Sequence, residues 1–119
     1  MTEAKKYTGS CHCGRVRFEA TADLSKTVTC NCSICAKSGT ILTFLPPSQF
    51  VSQSGDGDLV EYKFNKHVIS HLFCPTCGIK PYARGQMPNG DPIIALNVRC
   101  LDGVELETLK PKHLDGRSF

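Results

Sequence analysis

The chain has 119 residues, 40% of them hydrophobic and 21% charged, which suits one globular domain and is read as a single domain spanning 1–119. Its longest apolar runs, such as Ile93-Ile94-Ala95-Leu96, fall far short of the roughly 20 residues that a membrane-spanning helix needs. A formal charge of +3 spread over scattered Lys and Arg residues gives no ground for a nucleic-acid partner.

The opening Met1-Thr2-Glu3-Ala4-Lys5-Lys6 is charged where a secretory signal would be apolar, so the expected location is cytoplasmic. Val16, Phe18 and Ala20 then alternate with Arg15, Arg17 and Glu19, the period-two pattern of a half-buried strand. Cys32 to Lys37 is the one stretch that reads as a short helical turn. Ile41 to Leu45 reads as an apolar strand, stopped by Pro46-Pro47. Val60, Tyr62 and Phe64 alternate with Glu61 and Lys63, and Val68 to Phe73 forms another strand that delivers the chain to Cys74. Ile94, Leu96, Val98 and Cys100 alternate with Ala95, Asn97 and Arg99. Between these runs lie Ser54-Gly55-Asp56-Gly57, Pro88-Asn89-Gly90-Asp91-Pro92 and Asp102-Gly103, all turn formers. With no long helical period and no repeat, the expected fold is a mainly β domain of short strands.

Eight cysteines in a chain without an export signal point to metal rather than disulfides, although a secreted chain could pair them in many ways. Seven fall in three clusters: Cys11-His12-Cys13-Gly14, Cys30-Asn31-Cys32-Ser33-Ile34-Cys35 and Cys74-Pro75-Thr76-Cys77-Gly78. A two-residue gap lets two thiolates turn toward one ion, and a glycine after the second suits the tight turn of a zinc knuckle. Cys11 and Cys13 would point to opposite faces of a straight strand, so they must sit at a bend. Joining the first and third clusters gives Cys11, Cys13, Cys74 and Cys77, a closed four-sulfur set of the structural kind. Cys30, Cys32 and Cys35 then remain, and three thiolates leave a tetrahedral zinc with one open, reactive position. Closure of that site by His67 or His71 is the competing reading, which would make both zincs structural. His12 reads as a bystander between two ligands and Cys100 as a small core residue. Ionising seven thiolates and adding two zinc ions would bring the charge of +3 to zero.

These motifs resemble the glutathione-dependent formaldehyde-activating enzyme family, also called the GFA or centromere-protein-V domain. The resemblance rests on Gly9-Ser10-Cys11-His12-Cys13-Gly14 with Val16 and Phe18, and on Cys30 to Cys35 with Lys37 and Gly39. It continues through Phe73 to Gly78 with Pro81 and Tyr82, Asn97 to Asp102, and His113-Leu114-Asp115-Gly116. It implies several small coiled β-sheets, similar to Mss4-like proteins, and two zinc ions per chain. One would sit on Cys11, Cys13, Cys74 and Cys77; the other, catalytic one would sit on Cys30, Cys32 and Cys35. The implied reaction adds the thiol of glutathione to formaldehyde, giving S-hydroxymethylglutathione, and is classed as a carbon-sulfur lyase activity.

The expected partner is therefore a small-molecule thiol, with glutathione implied by the resemblance alone. Lys37, Lys80 and Arg84 lie near the cysteine clusters in sequence and are candidates for holding a substrate carboxylate; ordinary solvated charges are the equal alternative. Two readings of other classes stay open: a non-catalytic interaction module with both zincs structural, and a redox sensor built on Cys30, Cys32 and Cys35. A homodimer that covers a strand edge is compatible with such a domain as a general tendency of small sheets.

Overall fold

The computed structural model describes residues 4–31, 33–63, 69–87 and 89–114. Among these residues, ten strands and one short α-helix follow in chain order: β1 (Lys5–Ser10), β2 (Arg17–Ala22), β3 (Val28–Cys30), α1 (Ser33–Ser38), β4 (Leu42–Leu45) and β5 (Phe50–Ser54). Then come β6 (Val60–Tyr62), β7 (Ser70–Phe73), β8 (Tyr82–Gln86), β9 (Pro92–Asn97) and β10 (Lys112–Leu114). The mainly β architecture expected from the sequence is what the chain adopts, with a three-stranded sheet ordered β1-β2-β5 and a seven-stranded sheet ordered β10-β3-β4-β9-β8-β7-β6. All pairings are antiparallel except β10 with β3, which run parallel with Leu114 beside Cys30.

Alternation along β2 buries Phe18, Ala20 and Ala22 and turns Arg17 outward, as the period-two pattern requires. From the other sheet come Leu45, Leu72, Tyr82, Ile94 and Leu96, and these residues close one core between the sheets. Three aromatic rings join the layers. Phe18 lies 5.3 Å from Phe50 and 6.0 Å from Tyr82, and Phe50 meets Tyr82 at 4.6 Å with the planes 60° apart. Such tilted and edge-on contacts add about 0.5–1.5 kcal/mol per pair beyond area burial.

Several segments depart from their sequence pattern. Val60 and Tyr62 are 40% and 52% exposed, on β6 at the end of its sheet; Phe64 lies outside the described residues. The run Ile94 to Cys100 is not strand throughout: β9 ends at Asn97 and Val98–Cys100 winds into a 3-10 turn. The Asn97 side chain explains the break, since it accepts from the Arg99 N–H at 3.1 Å and caps the turn. The strand expected over Val68 to Phe73 begins at Ser70, with Val68 outside the described residues. The helical turn expected from Cys32 to Lys37 is α1, one residue later. β1 carried no readable alternation, as its charged end is exposed and only Gly9 is fully covered.

Candidate metal centre

Two loops built alike carry the first and third cysteine motifs. In the first, the Cys11 N–H donates to the Val16 carbonyl at 3.0 Å and the Gly14 N–H to the Cys11 carbonyl at 3.2 Å. In the second, the Cys74 N–H donates to the Ile79 carbonyl at 2.9 Å and the Gly78 N–H to the Cys74 carbonyl at 2.8 Å. Each loop closes on a glycine in the left-handed region, Gly14 at φ 82° and Gly78 at φ 78°, a conformation that a side chain disfavours. The bend expected between Cys11 and Cys13 is thus present, and the two sulfurs lie 3.6 Å apart on one side of it.

Cys13 is also 3.7 Å from the Cys74 sulfur, and the ligand atoms of Cys11, Cys13, Cys74 and Cys77 all lie within 4.8 Å of one another. A disulfide has its sulfurs about 2.05 Å apart, so these are thiols. A tetrahedral ion with bonds of about 2.3 Å to sulfur sets its ligands about 3.8 Å apart. The two shortest separations match that edge, and the group could hold a metal ion.

Backbone amides converge on the same sulfurs. The Val16 N–H reaches the Cys11 sulfur at 3.4 Å. Amides of Cys77 and Thr76, with the Cys13 thiol, hold Cys74 below the ordinary thiol range against burial. Burial opposes ionisation of Cys77, yet the amides of Cys13 and Ile79 and the thiols of Cys74 and Cys11 bring it down to about 6. At Cys13 the Arg15 amide favours the thiolate, but burial and the sulfurs of Cys11, Cys74 and Cys77 push it up to about 11. Four crowded sulfurs cannot all ionise without a compensating cation, which is the chemistry of a group that could hold a metal ion. Burial follows the same logic: Cys11 and Cys74 are buried, Cys77 is half-buried and Cys13 faces the surface.

The cluster joins the loop after β1 to the loop after β7, and Arg15 fastens it from outside. Its guanidinium donates to Asp58 at 3.3 Å and to the Thr76 hydroxyl at 3.4 Å, so one side chain of the first loop grips the second. Its carbonyl accepts from the Ser54 hydroxyl at 3.1 Å. The sequence reading missed Arg15, because nothing local links it to Thr76, 61 positions away.

The glutathione-dependent formaldehyde-activating enzyme family matches residues 6–115, which takes in all seven clustered cysteines. The chain belongs to this family. A crystal structure of a Rhodobacter sphaeroides protein is similar over 92% of this chain and 100% of that one, with a TM-score of 0.79 and 28% sequence identity.

The second cysteine motif of this GFA domain sits at the other side of the seven-stranded sheet. Cys30 is half-buried at the end of β3, Cys35 is buried on α1, and Cys32 lies outside the described residues. Of the two histidines considered for this site, His67 also lies outside the described residues. His71 is buried on β7, with its Nδ1 2.7 Å from the Lys80 ammonium. Burial and the Lys80 charge lower its pKa to about 4, so at neutral pH the ring is neutral and its Nδ1 accepts a hydrogen bond from the lysine ammonium. His12 is exposed. Cys100 is half-buried against the core and accepts from Asn97 Nδ2 at 3.6 Å. Burial and the charges of Cys11 and Cys77 push its thiol up to about 12, so it stays protonated. The three cations considered for a carboxylate occupy separate surroundings: Lys37 is exposed on α1, Lys80 meets His71, and the Arg84 guanidinium lies 5.4 Å over the Tyr82 ring.

Proposed function

We propose that this GFA-family chain is a zinc-dependent carbon-sulfur lyase that joins a small-molecule thiol, glutathione, to a small aldehyde such as formaldehyde, or cleaves the adduct. The thiol S–H bond breaks, a carbon–sulfur bond forms, and the proton ends on the former carbonyl oxygen to give an S-hydroxymethyl product. What carries the reading is the closure of Cys11, Cys13, Cys74 and Cys77 as one four-sulfur group, which leaves the family's remaining motif to chemistry. In this scheme the first group holds a structural zinc, and Cys30, Cys32 and Cys35 hold a second.

Zinc held by three thiolates supplies an open position at which a substrate thiol ionises near neutral pH. A thiol of pKa about 8.5 is only ~3% ionised at pH 7, so full ionisation is worth at most about 2 kcal/mol. The chain must therefore supply positioning as well. Cys30 and Cys35 are set for this on two packed elements, β3 and α1, rather than on a loose loop. Seven free thiols among the described residues suit the cytoplasm, where we place the reaction.

Cobalt substitution tests the proposal: the sulfur-to-cobalt absorption of the loaded protein is followed while glutathione, then S-methylglutathione, is titrated in. A change with glutathione alone is expected; no change with either would return both sites to a structural role and favour the interaction-module reading. Cys32→Ser should abolish turnover above the uncatalysed rate while the far-ultraviolet circular dichroism stays unchanged, and retained activity would overturn the assignment.

A further inference from the structure

Thr40 follows Gly39 in the connection from α1 to β4, is 4% exposed, and its hydroxyl has no hydrogen-bond partner among the described residues. A buried hydroxyl without a partner costs free energy and calls for an explanation. Its position supplies one. β3 and β4 are antiparallel with Val28 opposite Leu42, and the same register carried two residues beyond the start of β4 would bring Thr40 level with Cys30 on the same face. On its other side the Gly39 N–H donates to the Cys35 carbonyl at 3.0 Å, which fixes the turn between Cys35 and Thr40. Arg99 Nε donates to the Gly39 carbonyl at 3.1 Å and pins the turn from outside. Cys30, Cys35 and Thr40 thus belong to a strand, a helix packed on it and the turn that joins that helix to the next strand.

We infer that the Thr40 hydroxyl is a positioning donor reserved for a negatively charged sulfur or oxygen acceptor held at the Cys30 and Cys35 site. This rests on the functional reading above. The acceptor is either a cysteine thiolate drawn into place by the metal or an atom of the bound substrate. Both need the same thing, a fixed O–H in a dry wall, which adds orientation that ionisation alone does not give. Thr27, the other unpartnered buried hydroxyl among the described residues, immediately precedes Val28 and so faces the opposite side of the strand. It is the internal control.

The test compares wild type, Thr40→Val, Thr40→Ser and Thr27→Val as purified, cobalt-loaded proteins, with Thr40→Ala as a second hydroxyl-free variant should valine prevent folding. Thr27→Val should raise the unfolding midpoint by about 2–4 °C and leave the cobalt spectrum and the glutathione titration unchanged. Thr40→Val should weaken the glutathione response about tenfold, and Thr40→Ser should restore it. A Thr40→Val band already shifted with metal alone identifies a cysteine thiolate as the acceptor; a difference appearing only with glutathione identifies the substrate. A Thr40→Val protein that behaves like Thr27→Val, stabilised with an unchanged spectrum and titration, overturns the inference. If wild type itself ignores glutathione, the functional reading falls, and the metal-alone comparison still decides the role of Thr40.

Discussion

Replacing Gly9 by alanine should damage the fold and the cysteine cluster together. Gly9 pairs with Phe18 across β1 and β2 and forms an isolated bridge with Leu101. A Cβ there would stand 2.6 Å from the Phe18 ring and 2.8 Å from the Cys100 carbonyl oxygen, both well inside contact distance. Neither neighbour can withdraw cheaply. The ring is wedged by Phe50 and Tyr82, and the carbonyl belongs to the 3-10 turn that Asn97 caps. Overpacking of this kind costs about 1–3 kcal/mol, and with two rigid partners the upper half of that range applies, near 3 kcal/mol. In a domain of this size that lowers the unfolding midpoint by roughly 10 °C. Because Cys11 follows two residues later and Cys100 lies against the cluster, the sulfurs must shift as well, and metal should leave the variant faster to a chromophoric chelator. The comparison is Gly57→Ala, where a Cβ meets nothing within 4 Å and φ lies outside the left-handed region. That change should stay within about 0.5 kcal/mol. Thermal unfolding of the three proteins decides: a Gly9→Ala midpoint within 2 °C of wild type would refute the packing argument.

Other expectations follow from the same geometry. Chelation should unfold the domain, since a structural zinc supplies about 10–16 kcal/mol against a total stability of about 5–15 kcal/mol; a chelated protein that keeps its circular dichroism and a cooperative melt would contradict this. His71, with a pKa near 4 when folded and 6.5 when unfolded, binds more protons in the unfolded state, so its contribution is complete above about pH 6.5 and drains away as pH falls toward 4. After allowance for solvent screening this is worth about 1 kcal/mol between pH 7 and pH 5, measurable as the difference in urea-unfolding pH dependence between wild type and His71→Gln. Removing the Arg15 bridge by Arg15→Ala should cost no more than about 1 kcal/mol in stability, because its partners are exposed, yet should speed metal release by unfastening the loop at Thr76; unchanged release kinetics would show the bridge to be idle.

Much of this protein is written in short-range sequence. The pattern Val16, Phe18, Ala20 marks β2 because one face of that strand is covered along its length, and Gly14 and Gly78 mark the knuckles because only a residue without a side chain takes the left-handed turn easily. The four-sulfur grouping of Cys11, Cys13, Cys74 and Cys77 was legible as the simplest partition of the clustered cysteines, with the family resemblance making it the expected one. Tertiary structure decided what depends on partners distant along the chain. Val60 and Tyr62 alternate like a half-buried strand, but only the strand order shows that β6 is an edge. Arg15 gains its purpose from Thr76, His71 its low pKa from Lys80, and Gly9 its necessity from Phe18 and Cys100. A local period records which face of a segment is apolar; it carries no record of which segment comes to cover it, and burial, charge pairing and steric fit are all set by that second fact.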